Sequence, residues 1–151
     1  MSEIFNFLKS TGFLVMFWGD VGSGKTTLAL QIAKKTLEDG KKVFFLNTKQ
    51  SSFRLLYKRI LGNSWDSEDS NLVFWNTKTF NKQLKTIFSW NLYINKLKRF
   101  FGENKVGLLV VDEIVNTYLL EMGTEEKNEK LNRQLITALA TLEKLSKEFE
   151  I

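Results

Sequence analysis

The chain contains no cysteine, no histidine and no proline. Without cysteine there is no disulfide and no thiolate metal site. Without histidine there is no imidazole to serve as base or metal ligand. Arginine is sparse too, with only Arg54, Arg59, Arg99 and Arg133 against a majority of lysine. No apolar run is long enough for a helical membrane span, which needs about 18 residues or more. The first residues lack the charged start and small-residue cleavage site of a signal peptide. These absences point to the cytoplasm and to no membrane partner.

What remains is ordinary for a globular chain: 43% hydrophobic, 26% charged, and at 151 residues enough for one domain with its own core. The formal charge is +5. A basic balance fits a nucleic-acid partner. The excess is mostly lysine in a chain also rich in Asn, Phe and Ile, so a codon bias of the source genome explains it equally well.

The most informative segment is Gly19-Asp20-Val21-Gly22-Ser23-Gly24-Lys25-Thr26, a complete G-x-x-x-x-G-K-S/T phosphate-binding loop. Its glycines let the backbone turn several N–H groups toward the α- and β-phosphates of a nucleotide. Lys25 supplies a point charge for the β- and γ-phosphates, and Thr26 a hydroxyl ligand for Mg2+. Thr27 follows in the first turn of the next helix, whose dipole adds positive potential. The flanks agree. Residues 13–18 form an apolar run that predicts a buried strand, and Leu28, Ala29, Ile32, Ala33 and Leu37 recur at helical spacing up to a stop at Gly40.

Further along, residues 43–46 predict a second strand and residues 53–61 a short helix. A polar, turn-rich loop covers residues 62–71, and a third strand covers residues 72–75. A long helix is predicted over residues 80–101 and a fourth, wholly apolar strand over residues 106–111. A final amphipathic helix shows Leu131, Leu135, Ala138, Leu142, Leu145 and Phe149 on one face. Alternating strands and helices imply a mainly parallel sheet covered on both faces, with ligands at the carboxyl ends of the strands.

The fourth strand runs directly into Asp112, the usual form of a strand whose terminal carboxylate holds Mg2+ directly or through water; a helix-capping role is the alternative. Glu113 comes next. It is placed either to orient an attacking water, as a catalytic residue, or simply as an exposed carboxylate. Lys78, Lys82, Lys85, Lys96 and Arg99 fall on one stripe at three- and four-residue steps, with Trp75, Phe80, Trp90 and Tyr93 nearby. That combination suits single-stranded nucleic acid, or is the solvated face of an amphipathic helix with core aromatics.

With these residues in view, the chain resembles the RecA/RadA/RadB recombinase ATPases, and most of all the archaeal RadB-like branch. The matching segments are residues 19–30, then Phe44-Phe45-Leu46-Asn47-Thr48, Leu109-Val110-Val111-Asp112, Tyr118 with Leu120-Glu121, and Asn132-Arg133-Gln134-Leu135. They occur in the family's order. The resemblance implies a single RecA-like P-loop NTPase domain over residues 1–151, three-layered α/β/α. It implies ATP with Mg2+, and a role in DNA recombination and repair with single-stranded DNA and a recombinase or other repair protein as partners. It carries Lys25 and Thr26 to phosphate and metal and Asp112 to Mg2+, and it sets Arg54 near the adenine or else at a solvated helix start.

Three departures accompany the resemblance. Where the family has a water-activating glutamate after the second strand, this chain has Lys49 and then Gln50. A charged lysine accepts no proton, so weak or absent hydrolysis is expected unless Glu113 substitutes. Where the first DNA-contacting loop of the family carries an arginine, this chain has Leu119, followed by Glu121, Glu125 and Glu126, which repel phosphates. After the last helix the family has another buried strand, between the phosphate-loop strand and the Asp112 strand. The sequence ends at Ile151 without it, so a vacant slot in the sheet is expected unless the two strands pair directly. A nucleotide-gated protein-interaction module is therefore the second reading, and a small-molecule P-loop kinase a third.

Overall fold

The computed structural model describes residues 12–48, 54–62 and 71–151. Among the described residues, five helices and three strands follow one another: α1 (Lys25–Glu38), β1 (Lys42–Asn47), α2 (Arg54–Leu61), β2 (Leu72–Asn76), α3 (Phe80–Phe101), β3 (Val106–Asp112), α4 (Ile114–Glu121) and α5 (Glu125–Phe149). The strands expected over residues 43–46, 72–75 and 106–111 and the helices expected over residues 53–61 and 80–101 stand within a residue of their predicted limits, and α4 is a helix that no periodicity had marked.

The strands form a parallel sheet in the order β2-β1-β3. Alternate side chains leave opposite faces of a strand, and here each face meets its own helices. Phe44 and Leu46 of β1, with Val73, Trp75, Leu109 and Val111, pack under α3 and α5. Val43 and Phe45, with Leu72, Phe74, Leu108 and Val110, pack under Leu30 and Ala33 of α1 and Tyr57 and Leu61 of α2. The result is the expected three-layer α/β/α arrangement. β1, buried at every position but its first, is the centre.

Helix ends follow local chemistry. The Thr79 side chain accepts from the Lys82 N–H at the start of α3, and Thr124 accepts from the Lys127 N–H at the start of α5. Glu125 and Glu126 in the first turn of α5 complement its dipole.

One expectation is corrected. Residues 13–18 form no strand. They lie outside the sheet with every side chain exposed, Trp18 by 82%. The Gly12 N–H donates to the Ile151 carbonyl (3.3 Å), and Asn104, just before β3, donates to the Phe149 carbonyl (2.6 Å). Residues 13–18 and β3 therefore start from the same end of α5 and both lead to the phosphate loop, without pairing. A parallel strand needs a hydrogen-bonding neighbour, and residues 13–18 have no place in the β2-β1-β3 sheet. The direct pairing that would close the slot does not occur, and β3 keeps a half-buried edge despite its apolar sequence.

Candidate nucleotide-binding site

The glycine loop turns through Gly22 (φ 85°) and Gly24 (φ 87°), both in the left-handed region where a side chain is strained. A Cβ at either would meet open space. The loop therefore requires glycine at both positions for backbone conformation rather than for want of space. Gly24 opens α1 without any side-chain cap, and the first turn of α1 has no acidic residue. An uncompensated helix N-terminus is a site for negative charge.

Lys25 folds back over this loop. Its ammonium donates to the Gly19 carbonyl (2.6 Å), the Asp20 carbonyl (2.7 Å) and the Ser23 hydroxyl (3.3 Å). Val21 stands fully exposed at the tip. Thr26 is buried, and its hydroxyl donates to the Asp112 carboxylate at 3.0 and 3.2 Å, across 86 residues of sequence. The fold positions this pair: β3 ends in register with β1 and β2, aligning Asp112 with Asn47 and Asn47 with Asn76 at the carboxyl edge of the sheet. The Thr48 hydroxyl donates to the Asp112 carbonyl (3.1 Å) and holds that strand end. Asp112 does not cap the following helix, because the cap position of α4 belongs to Glu113.

Glu113 occupies a left-handed backbone conformation (φ 69°, ψ 47°) and makes no capping bond with its side chain. Such strain in a non-glycine residue costs about 1 kcal/mol or more and concentrates at functional sites. Glu113→Gly is expected to raise unfolding stability by about 1 kcal/mol, read from urea titrations.

Tyr57 was not anticipated from sequence. It is buried on α2, and burial pushes its phenol far above the ordinary value, with the carboxylates of Asp112 and Glu113 adding to the effect. A lone tyrosine in a short amphipathic helix carried no signal of this, because its ring neighbours Phe45 and Phe74 come from β1 and β2 and the two carboxylates from the end of β3 and the residue after it. The folded protein holds the phenol neutral where the unfolded chain ionises it, so the native state binds more protons above about pH 10. Stability should therefore fall as pH rises past that value. In Tyr57→Phe, denaturant melts between pH 8 and 11 should show a shallower fall.

Arg54 begins α2 and is exposed, with no hydrogen bond or ion pair to a described residue. Lys49 and Gln50 lie outside the described residues. The segment around Leu119 is a helix, α4, rather than a loop. Glu121 accepts from the Phe80 N–H (2.8 Å), and Tyr118 donates to Asn132 while its ring packs edge-on against Phe80 at 5.7 Å. Several residues that carried the family resemblance thus tie α3, α4 and α5 together.

The donor set suits Mg2+ with a nucleotide. Among the described residues no cluster of three or more acidic side chains could hold a metal alone. Mg2+ is commonly held by one or two protein oxygens together with phosphates and water, which the Thr26–Asp112 pair and the open loop match. No helix of the described residues is long and apolar enough to cross a membrane.

A glycine loop entering a helix, beside an acid-terminated strand of a parallel sheet, defines a P-loop NTPase fold. The family described as Zonular occludens toxin (Zot) matches residues 13–147, and the chain belongs to it. The chain is also similar to the DNA repair and recombination protein RadB of Methanosphaera stadtmanae, 26% identical over 140 residues, covering 93% of this chain and 56% of that protein. With RadB of Methanococcus maripaludis it shares 27% over 149 residues, 98% of this chain and 64% of the relative. With RadB of Methanococcoides burtonii it shares 25% over 141 residues, 93% and 59%. The recombinase-type resemblance drawn from the motifs is borne out over nearly the whole chain. The chain spans 56% to 64% of the length of these relatives.

Proposed function

We propose that the chain is an ATP-binding, RadB-like protein acting in DNA recombination and repair, with weak or absent ATP hydrolysis. The observation that carries the nucleotide half is the Thr26 hydroxyl on the Asp112 carboxylate beside an open glycine loop. The similarity to proteins named for DNA repair and recombination supports the other half.

In this reading the backbone from Gly19 to Thr27 binds the phosphates. Lys25 exchanges the Gly19 and Asp20 carbonyls for β- and γ-phosphate oxygens. Thr26 and Asp112 hold Mg2+, and Glu113 orients water. The adenine position near Arg54 belongs to the same proposal, as does the organisation of residues 1–151 as one RecA-like unit with room in its sheet for a further strand. When bound, Mg2+–ATP supplies a γ-phosphoryl group and a charge that orders the loop.

The deciding experiment is ATP binding and turnover, with and without single-stranded DNA, on wild type, Lys25→Ala and Glu113→Gln. Tight Mg2+–ATP binding with little turnover agrees with the proposal. DNA-stimulated turnover that falls about 100-fold in Glu113→Gln assigns that residue the water-orienting role. Failure of wild type to bind Mg2+–ATP overturns the proposal.

A second reading has its own support. Leu119, Leu120 and Met122 are exposed at the C-terminal end of α4, the helix that Glu113 opens, and they suit a protein partner, such as a recombinase, better than phosphates. ATP-dependent capture of that partner, with no salt-sensitive DNA binding, distinguishes a nucleotide-gated interaction module.

A further inference from the structure

Helix α3 has 22 residues, five of them cationic and none acidic, so it carries a charge equal to that of the whole chain. Helix α5, of similar length, holds five acidic and five basic residues and pairs them along its face, Arg133 with Glu129 (3.6 Å) and Lys147 with Glu143 (2.6 Å). A lysine-rich genome would enrich both helices alike. It does not explain why one of them has lost every carboxylate.

At 3.6 residues per turn, Lys82, Lys85, Lys96 and Arg99 fall within about 100° of arc. They lie opposite the buried Gln83, Ile87, Trp90 and Ile94. All four are exposed, and none forms an ion pair with a described residue. The fifth cation, Lys98, lies elsewhere, over the Phe149 ring at 5.9 Å. Lys78, also exposed, extends the stripe beyond the helix start. From Lys82 to Arg99 the track is about 25 Å long. Phe88, Tyr93 and Phe100 are exposed along it.

Beside the track lies a groove of about 310 Å³ lined by Lys42, Phe44, Val73, Trp75, Tyr93 and Leu97. Tyr93 is thus shared by helix face and groove, and its ring lies 6.2 Å from that of Trp75.

We propose that the outer face of α3 binds single-stranded nucleic acid, its phosphates along Lys82, Lys85, Lys96 and Arg99 and a base on the aromatic groove at Tyr93 and Trp75. This rests on the nucleic-acid half of the function proposed above and gives it a place, on the sheet face opposite α1. A cationic track with neighbouring aromatic platforms is what an unpaired strand recognises, because every base has a face to stack. The absence of acids on α3 removes the repulsion that Glu121, Glu125 and Glu126 would raise elsewhere.

The test is fluorescence anisotropy with a labelled 15-mer of oligo(dT) from 50 to 200 mM salt, on wild type, on the variant carrying Lys82→Gln, Lys85→Gln, Lys96→Gln and Arg99→Gln, and on Tyr93→Ala. Helicity by circular dichroism and Mg2+–ATP binding are followed in each. The fourfold variant is expected to bind at least about tenfold more weakly at 50 mM salt, with its log–log salt slope smaller by about 3. Tyr93→Ala should weaken binding several-fold with the slope unchanged. An unaltered slope in the fourfold variant overturns the placement on α3 and leaves DNA binding by the protein intact. No binding by wild type, or binding to phosphatidylglycerol vesicles in preference to oligo(dT), overturns the proposal itself. Loss of the oligonucleotide slope in a protein that binds no Mg2+–ATP keeps this inference and removes the ATP reading.

Discussion

Lys25→Ala is expected to weaken Mg2+–ATP binding by about 100-fold or more while leaving the fold in place. Charge-assisted hydrogen bonds contribute about 1.5–3 kcal/mol each, and this ammonium would make two or more to phosphate. Its present partners are carbonyls and a hydroxyl of its own loop, so truncation removes no core contact. Isothermal titration calorimetry measures the loss directly. Thermal unfolding gives an independent reading. A ligand at a hundred times its Kd stabilises by about 2.7 kcal/mol, so wild type should melt higher with Mg2+–ATP and Lys25→Ala should not. Lys25→Arg should restore little, because a compact ammonium fits between Gly19 and Asp20 where a planar guanidinium does not. Undiminished affinity in Lys25→Ala would remove the loop from the nucleotide site.

The largest effect on stability is expected from Trp90→Ala, a loss of about 3–5 kcal/mol in urea unfolding. Trp90 is wholly buried, and its ring lies 6.0 Å from Phe44 and 5.8 Å from Trp75. It joins the centre of α3 to β1 and β2, so its removal opens a cavity between two layers. Trp90→Phe should cost far less. The buried indole N–H has no acceptor among the described residues, and phenylalanine removes that unsatisfied donor with part of the volume. If α3 is the nucleic-acid face, Trp90→Ala should also impair oligonucleotide binding, by loosening the helix that carries the stripe. Lys25→Ala should not. That contrast separates the two sites.

Much of this was legible in the sequence because it is local. The phosphate loop is a contiguous motif. The extent of α3 and the faces of α5 follow from helical periodicity. Asp112 was legible as a candidate because four apolar residues lead into it. Its contact with Thr26 was not, since 86 residues separate them and only parallel pairing of β3 with β1 brings the two ends to one edge. Tyr57 was missed for the same reason. Helix α4 was missed because its eight residues are nearly all apolar or neutral and show no amphipathic period.

The amino-acid sequence by itself determined the class of site, its chemistry and the order of elements, since glycine conformations, a lysine charge and side-chain periodicities act over a few residues. Only the tertiary structure decided which strands pair. Residues 13–18 have the composition of a buried strand and stay exposed, because a strand exists only through the neighbour that completes its hydrogen bonds. The tertiary structure also set Glu113 in a strained turn beside Tyr57. It left the stripe of α3 facing solvent, because packing against β1, β2 and α5 chose which side of that helix to bury.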